Sequence, residues 1–305
     1  MNKKLIVILG PTASGKTEMA MRLSKKFKGE IVSADSRQIY KEMNIGTAKP
    51  KKTFGIPHHL IDIIKLDQEF NAAIYKKLAT KTIKDIQKRG KIPFLVGGTG
   101  LYIWTIVDNL KFSGISAQKE LRRDLEKKSA KELFRFYKKL DPKGAKFIDK
   151  NNKRRLIRAI EVCKVTGKSF WQERKSEKPI FDTLQIGIKI EKRILEKRIE
   201  KRINQMIKMG LEKEAKTLFK KYGNVPTLCT IGYQEWFEFF EKKIDKETVK
   251  KEILKHTLSY AKRQMTWFRR DKRIVWLKDY KRIVELIKNF LKSEKIKSSK
   301  NNQSS

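Results

Sequence analysis

Short apolar runs recur along the chain, at Leu5 to Leu9, Glu30 to Ala34, Leu60 to Ile64 and Pro93 to Val96, and again at Leu184 to Ile190 and Ile274 to Leu277. Runs of this length without polar alternation predict strands buried on both faces. Segments of helical period lie between most of them. Such alternation predicts an α/β fold, a parallel sheet with helices on both faces, in which ligands bind at the carboxyl ends of the strands. The stretch from Ser113 to Asp182 breaks the alternation, being rich in Lys and Arg, helical throughout and without a convincing strand. It predicts an all-helical insertion. The domain plan is therefore a core over 1–112 and 183–291, an insertion over 113–182, and a disordered tail over 292–305, where Lys, Ser, Asn and Gln leave almost nothing apolar. Further helices are predicted from Ile194 to Met209, stopped by Gly210, and from Lys246 to Arg270.

The first run leads directly into Gly10-Pro11-Thr12-Ala13-Ser14-Gly15-Lys16-Thr17, the phosphate-loop pattern G-x-x-x-x-G-K-[ST] in its strand-to-helix context. The core is thus expected to be phosphate-loop NTPase-like. Its backbone N–H groups would converge on a diphosphate or triphosphate, Lys16 would add a point charge, and Thr17 could hold Mg²⁺ at the helix N-terminus.

Two further strand ends carry candidate chemistry. Asp35, in Val32-Ser33-Ala34-Asp35-Ser36-Arg37-Gln38, ends the second strand. Its carboxylate suits a metal-binding acid in phosphoryl transfer, a general base in transfer onto nitrogen or oxygen, or a turn cap. After Phe94-Leu95-Val96 comes Gly97-Gly98-Thr99-Gly100, where many phosphate-loop ATPases place an acid. The acid is missing, which disfavours ATP hydrolysis. The glycines fit close approach of a ligand, with Thr99 as a substrate contact, or a plain tight turn. His58 and His59 are adjacent at a strand entry and so face opposite ways, one packed and one exposed, which does not suit one shared metal ion. On the helix after Glu191, one of Arg193, Arg198 and Arg202 is expected to reach the phosphates.

Charge changes the picture of partners. With 74 Lys and Arg against 34 Asp and Glu, the formal charge is +40. A polyanion is the expected partner, and the clusters Arg122-Arg123, Lys153-Arg154-Arg155 with Arg158, and Lys262-Arg263-Gln264 with Trp267 and Arg269-Arg270 suit RNA through phosphate pairing and base stacking. Cys163 and Cys229 are the two cysteines, far apart, so neither a disulfide framework nor a zinc site is supported. No apolar run is long enough to span a membrane and no signal peptide is evident, so a cytoplasmic protein is expected; a monomer is the separate expectation for its assembly.

Together the blocks GPTASGKT, SADSRQIYKEMNIGTAKP, IPHHLID, IPFLVGGTGLYI, RRLIRAIEV, KRIEKRINQM, IGYQE and AKRQMTWFR resemble those of the tRNA dimethylallyltransferases, also called tRNA isopentenyltransferases, of bacterial type. The resemblance runs from Leu5 to about Leu277. It implies transfer of a dimethylallyl group from dimethylallyl diphosphate to N6 of the adenosine 3′ of the anticodon, with Mg²⁺ as cofactor and the anticodon stem-loop of tRNA as partner. It implies Asp35 as general base, Thr99 at the reacting centre, and Gly10 through Thr17 with Arg202 on the diphosphate. It further implies that Asp35, Ser36, Arg37, Gln38 and Thr99, with Arg122 and the segment Arg154, Arg155, Leu156, Ile157 and Arg158, contact the tRNA. Arg154 stands where the family usually has Gln, so a base-reading contact is not implied there. An ATP-dependent small-molecule kinase and a non-catalytic RNA-binding NTPase are the competing readings of the same loop.

Overall fold

The computed structural model describes residues 3–112, 114–170 and 176–293. Its strands are β1 (Lys4–Leu9), β2 (Gly29–Ala34), β3 (His58–His59), β4 (Ile92–Gly97), β5 (Asp182–Ile188) and β6 (Val275–Leu277). They form one parallel sheet in the order β3-β2-β4-β1-β5-β6. β1 and β2 are buried along their whole length, which is why both read as unbroken apolar runs. The predicted strand over Leu60 to Ile64 is not one. Leu60 and Asp62 take left-handed backbone angles, φ 62° and 57°, so the chain cannot run extended there. Pairing with β2 stops at His59, and Ile63 and Ile64 instead donate their amides to the carbonyl of Ile39 at 2.8 and 3.2 Å.

The core helices before the insertion are α1 (Lys16–Lys26), α2 (Ala72–Lys88) and α3 (Gly100–Val107). The insertion carries α4 (Lys119–Glu126), α5 (Ala130–Leu140) and α6 (Lys153–Thr166), and the core resumes with α7 (Lys192–Lys208), α8 (Leu211–Tyr222), α9 (Phe237–Phe240), α10 (Lys246–Phe268) and α11 (Tyr280–Lys292). α1 and α11 bury Ala20, Leu23, Ile283 and Ile287 against Ile6, Ile8, Ile31 and Phe94 on one face of the sheet. α2 and α3 bury Tyr75, Ala79, Ile83 and Ile103 against Leu5, Val7, Val32 and Leu95 on the other. A third apolar cluster joins Ile39 and Met43 to α7, α8 and α10 through Ile199, Ile203, Leu218 and Ile253, with Trp236, just before α9, packed among them.

Residues 108–179 form a compact unit of their own, so the boundaries fall five and three residues before those read from the sequence at 112/113 and 182/183. Phe181, beyond that unit, packs in the core with Leu5 and Ile274. The unit is not helical throughout, because Leu110 and Ser176 form an antiparallel bridge. Its own core joins Leu125, Leu133, Tyr137, Leu156, Ile160 and Cys163. Helix starts follow local chemistry: Ser129 and Glu132 cap α5 reciprocally, and the Asn152 side chain accepts the Arg155 amide at 3.0 Å to start α6, which ends at Gly167 with φ 67°. The tail expected from 292 begins one residue inside α11, and 294–305 lie outside the described residues.

Candidate active site

Parallel pairing aligns Leu9, Ala34 and Gly97 at one edge of the sheet, so the loops after β1, β2 and β4 emerge side by side. After β1 the chain turns through Gly10–Gly15 into α1. Gly15 at φ 89° is the residue before the helix, a conformation that side chains resist. Ser14 donates its amide to Pro11 O at 3.2 Å, and Lys16 Nζ donates to the same carbonyl at 3.2 Å. The Ser14 hydroxyl is buried, 3% exposed, and meets no protein partner. An orphaned hydroxyl inside a phosphate loop fits a phosphate oxygen as its missing acceptor. Thr12 differs from its neighbours: its amide donates to Gln264 Oε1 at 2.8 Å, and its hydroxyl accepts from Arg202 Nη1 at 3.2 Å. Its contribution to a ligand therefore runs through Arg202.

Two arginines of α7 reach this loop. Four residues apart on one helical face, Arg202 meets Thr12 and Arg198 donates to Ser14 O at 3.3 Å. Arg193 is exposed at the start of the helix. Desolvation lowers Lys16 to about 8, opposed by the attraction of Asp35 and assisted by Arg202. Desolvation lowers Arg202 as well, again opposed by Asp35. Asp35 is thus the carboxylate these two cations share.

Asp35 begins a turn, its Oδ1 accepting from the amides of Arg37 at 2.9 Å and Gln38 at 3.4 Å. The capping role open at the sequence level is real, and it occupies one carboxylate oxygen. Beside it the Thr99 amide donates to Ala34 O at 3.1 Å and the Thr99 hydroxyl accepts from the Ser36 amide at 3.0 Å, so the turns after β2 and β4 are tied together. Gln38 faces inward, donating to Thr47 O and Ala48 O at 3.2 and 3.3 Å and accepting from Ser33 Oγ at 3.4 Å. Tyr260 of α10 lies beside Thr99, and burial followed by the nearby Asp35 pushes its phenol up to about 12. Burial and the same carboxylate raise Tyr75 and Tyr102, which stack at 3.9 Å.

Other expectations are corrected. Both histidines of β3 are half-buried, where one packed and one exposed was expected: His58 Nδ1 meets Ile56 O at 2.8 Å and His59 Nε2 meets Glu30 at 2.7 Å. Trp267, expected to offer a stacking face beside Arg263, instead packs against Trp104 at 4.7 Å between ring centres. Gln264, read with the basic RNA-facing cluster, is buried at 6% exposure and donates to Gly98 O at 2.9 Å. The signal for it was a polar residue on the buried stripe of α10, with Val249, Ile253, Ala261 and Phe268.

Within the insertion, the expected RNA-contacting residues divide. Arg154 is exposed and Arg155 half-buried on the first turn of α6, whereas Leu156 and Ile157 point into the unit's own core at 0% and 6% exposure. Arg122 pairs through Nε and Nη2, both at 2.8 Å, with the fully buried Glu161, to which Arg158 Nη1 also donates. A carboxylate unread in the sequence thus fixes two of the expected contacts. Its signal was a lone acid in the apolar run Leu156 to Val162.

Among the described residues no cluster of three acidic, His or Cys side chains could hold a metal, and no helix is long and apolar enough to cross a membrane.

Residues 38–271 match the family model for IPP transferase and residues 3–54 that for isopentenyl transferase. A tRNA dimethylallyltransferase of Carboxydothermus hydrogenoformans is 41% identical over 94% of this chain and 96% of its own length. The tRNA isopentenylpyrophosphate transferase of Bacillus halodurans superposes with TM-score 0.72 at 36% identity, over 99% of this chain and 100% of that one. A eukaryotic dimethylallyltransferase, solved acting on tRNA, superposes with TM-score 0.76 at 30% identity, over 87% of this chain and 70% of that one. A phosphate loop, a carboxylate whose charge Lys16 and Arg202 both feel, a family model matched over residues 38–271 and 41% identity over 94% of the chain together mean that the chain belongs to the IPP transferase family.

Proposed function

We propose that this protein transfers the dimethylallyl group of dimethylallyl diphosphate to N6 of the adenosine immediately 3′ of the anticodon in tRNA. The observation that carries the reading is the position of Asp35, an acid bonded into its turn through one oxygen, beside Thr99 and in electrostatic contact with Lys16 and Arg202. In this reading the diphosphate occupies the phosphate loop. The exocyclic amine attacks the allylic carbon, the carbon–oxygen bond to the diphosphate breaks, and the amine proton passes to Asp35. Negative charge grows on the leaving group, where the loop amides, the Ser14 hydroxyl, Lys16, Arg198 and Arg202 are the groups that stabilise it; one such donor typically contributes about 3 kcal/mol. Thr99 and Ser36 hold the acceptor side of the centre. Thr17, half-buried on the first turn of α1, is the residue fitted to hold Mg²⁺. Among the described residues no acidic cluster joins it, and a bound ion would supply further positive charge to the leaving group.

The base must leave its stack to reach this centre. Arg122, Arg154, Arg155 and Arg158, with the backbone at Leu156 and Ile157, are the groups proposed to hold the anticodon stem-loop. Arg37 and Ser36 would do so from the core, with Gln38 bracing their turn through Ser33, Thr47 and Ala48, and the protein would act as a monomer in the cytoplasm.

The test incubates purified protein with unmodified tRNA, Mg²⁺ and dimethylallyl diphosphate, and analyses the nucleosides by mass spectrometry; a parallel tube carries ATP in place of the prenyl donor. Dimethylallyl-adenosine in the first tube alone is expected. ADP in the second with no product in the first would favour the kinase or NTPase readings and make Asp35 a metal ligand. Asp35→Ala should cut turnover about a hundredfold or more while tRNA affinity stays within twofold; undiminished turnover would remove Asp35 as base.

A further inference from the structure

α10 meets the site along one face. Tyr260, Gln264 and Trp267, at helical spacing, touch Thr99, then Gly98 and Thr12, then Gly100. The fit is close: a Cβ on Gly98 would lie 2.2 Å from Gln264 Nε2, and one on Gly100 would lie 2.3 Å from the Trp267 indole. Gln264 has a particular place in this contact, because its carboxamide joins two loops that the sheet alone leaves side by side. Oε1 accepts from the phosphate-loop amide of Thr12, and Nε2 donates to the carbonyl of Gly98, next to Thr99.

We propose that Gln264 is a positioning residue that sets the distance between the leaving-group loop and the acceptor-side turn. The inference rests on the prenyl-transfer reading given above. In that reaction the attacking nitrogen, the allylic carbon and the departing oxygen must lie in line. The diphosphate is held by the loop that contains Thr12, and the amine by the turns that contain Thr99 and Asp35. A small drift of one loop against the other leaves each substrate bound but spoils the line of attack, and displacements of about 1 Å can cost about a hundredfold in rate. Glycine at 98 and 100 lets α10 approach closely enough for this bridge to form.

Gln264→Glu tests the bridge through its chemistry. A protonated carboxyl group reproduces both bonds, accepting from Thr12 and donating to Gly98, whereas an ionised one can only accept and would confront the Gly98 carbonyl. Burial and that carbonyl favour the protonated form, placing the titration above the ordinary glutamate range. Turnover of the variant is therefore measured relative to the unaltered enzyme from about pH 5 to 8, so that pH effects common to both cancel. The ratio should approach one at the acid end and fall about tenfold or more by the alkaline end, with tRNA affinity within twofold throughout. A ratio independent of pH would overturn the proposal, since a residue that merely fills space gives no new titration. Gln264→Met keeps the volume and loses both bonds. It should lower kcat about tenfold or more at every pH with little change in tRNA affinity; kcat within twofold of the unaltered enzyme would overturn the proposal. Variants unfolded at the assay temperature would overturn it too, making Gln264 a stability residue. Absence of prenylation by the unaltered enzyme would instead refute the reaction assigned above.

Discussion

Glu161→Gln should loosen the helical insertion while leaving the catalytic core folded. The carboxylate has no exposed surface and accepts four bonds, from the Gln118 amide at 2.7 Å, from Arg122 twice at 2.8 Å, and from Arg158. Burial by itself would raise its pKa, and the Arg122 guanidinium, the Gln118 amide and Arg158 outweigh it, holding the carboxyl below the usual range. Substitution removes the charge, leaves one acceptor oxygen, and turns an NH₂ group toward two guanidinium groups. Breaking a buried pair this way costs about 3–5 kcal/mol. Arg122 and Arg158 are 36% and 31% exposed and regain water, so the lower end applies.

A loss of about 3 kcal/mol raises the population of opened insertion roughly a hundredfold. Cys163 reports that opening, for it lies in the same core at 8% exposure, while the exposed Cys229 of the catalytic unit is an internal control. Pulse alkylation at neutral pH, read by peptide mass spectrometry, should show Cys163 reacting about a hundredfold faster and Cys229 within twofold of its original rate. A change at Cys163 of less than about threefold would refute the claim that the pairing supports the unit. The pH dependence has a defined sign. Because the folded pKa lies below the unfolded one, the stabilisation is complete above the ordinary glutamate value of 4.5 and is lost as pH falls through the lower folded value. Hydrogen exchange across α6 should therefore be protected at pH 5 to 8, on the order of that ordinary value and above, and released only in stronger acid.

Lys16 is held at about 8, and only its charged form attracts a diphosphate, so the KM for the prenyl donor should rise as pH climbs through that value, up to about tenfold per pH unit, with the KM for tRNA little changed. Lys16→Arg, charged at every accessible pH, should flatten the rise; an equally steep slope would exclude Lys16 as its source. Arg198→Met should raise the donor KM about tenfold or more, as expected for loss of one charged donor, whereas Arg193→Met on the exposed start of the same helix should stay within twofold; steady-state kinetics at saturating tRNA separate them. Gly97→Ala would set a Cβ 2.1 Å from Ala34 O, forcing β4 away from β2 and lowering stability by about 1–3 kcal/mol, seen as a lower urea midpoint; an unchanged midpoint would refute that packing limit.

The frame of this molecule was legible because buried parallel strands leave unbroken apolar runs and because the spacing of the phosphate loop is itself a backbone geometry. The third strand misled since an apolar run says nothing of φ, and left-handed turns at Leu60 and Asp62 end the pairing just where the run begins. The site was legible to the extent that its members end strands: Asp35 and Thr99 follow β2 and β4. Gln264 was not, because its partners lie 252 and 166 residues away in sequence and no local spacing encodes them. Glu161 was hidden for the same reason, pairing with Arg122 from 39 residues off. Both are polar residues on buried helical stripes, a pattern that sequence can flag even when it cannot name the partner, since such a group must find one. The charge teaches the converse. A formal +40 sets a field that any polyanion would feel, but it does not select where chemistry occurs. Candidates for that selection are cations that an acceptor fixes at the phosphate loop or in the insertion, among them Arg202 on the Thr12 hydroxyl, Arg198 on the Ser14 carbonyl, Lys16 on the Pro11 carbonyl, and Arg122 and Arg158 on Glu161. Loss of an exposed lysine should weaken the attraction of RNA by a small, salt-dependent increment, whereas loss of an acceptor that fixes an arginine changes geometry and is not rescued by lowering the salt.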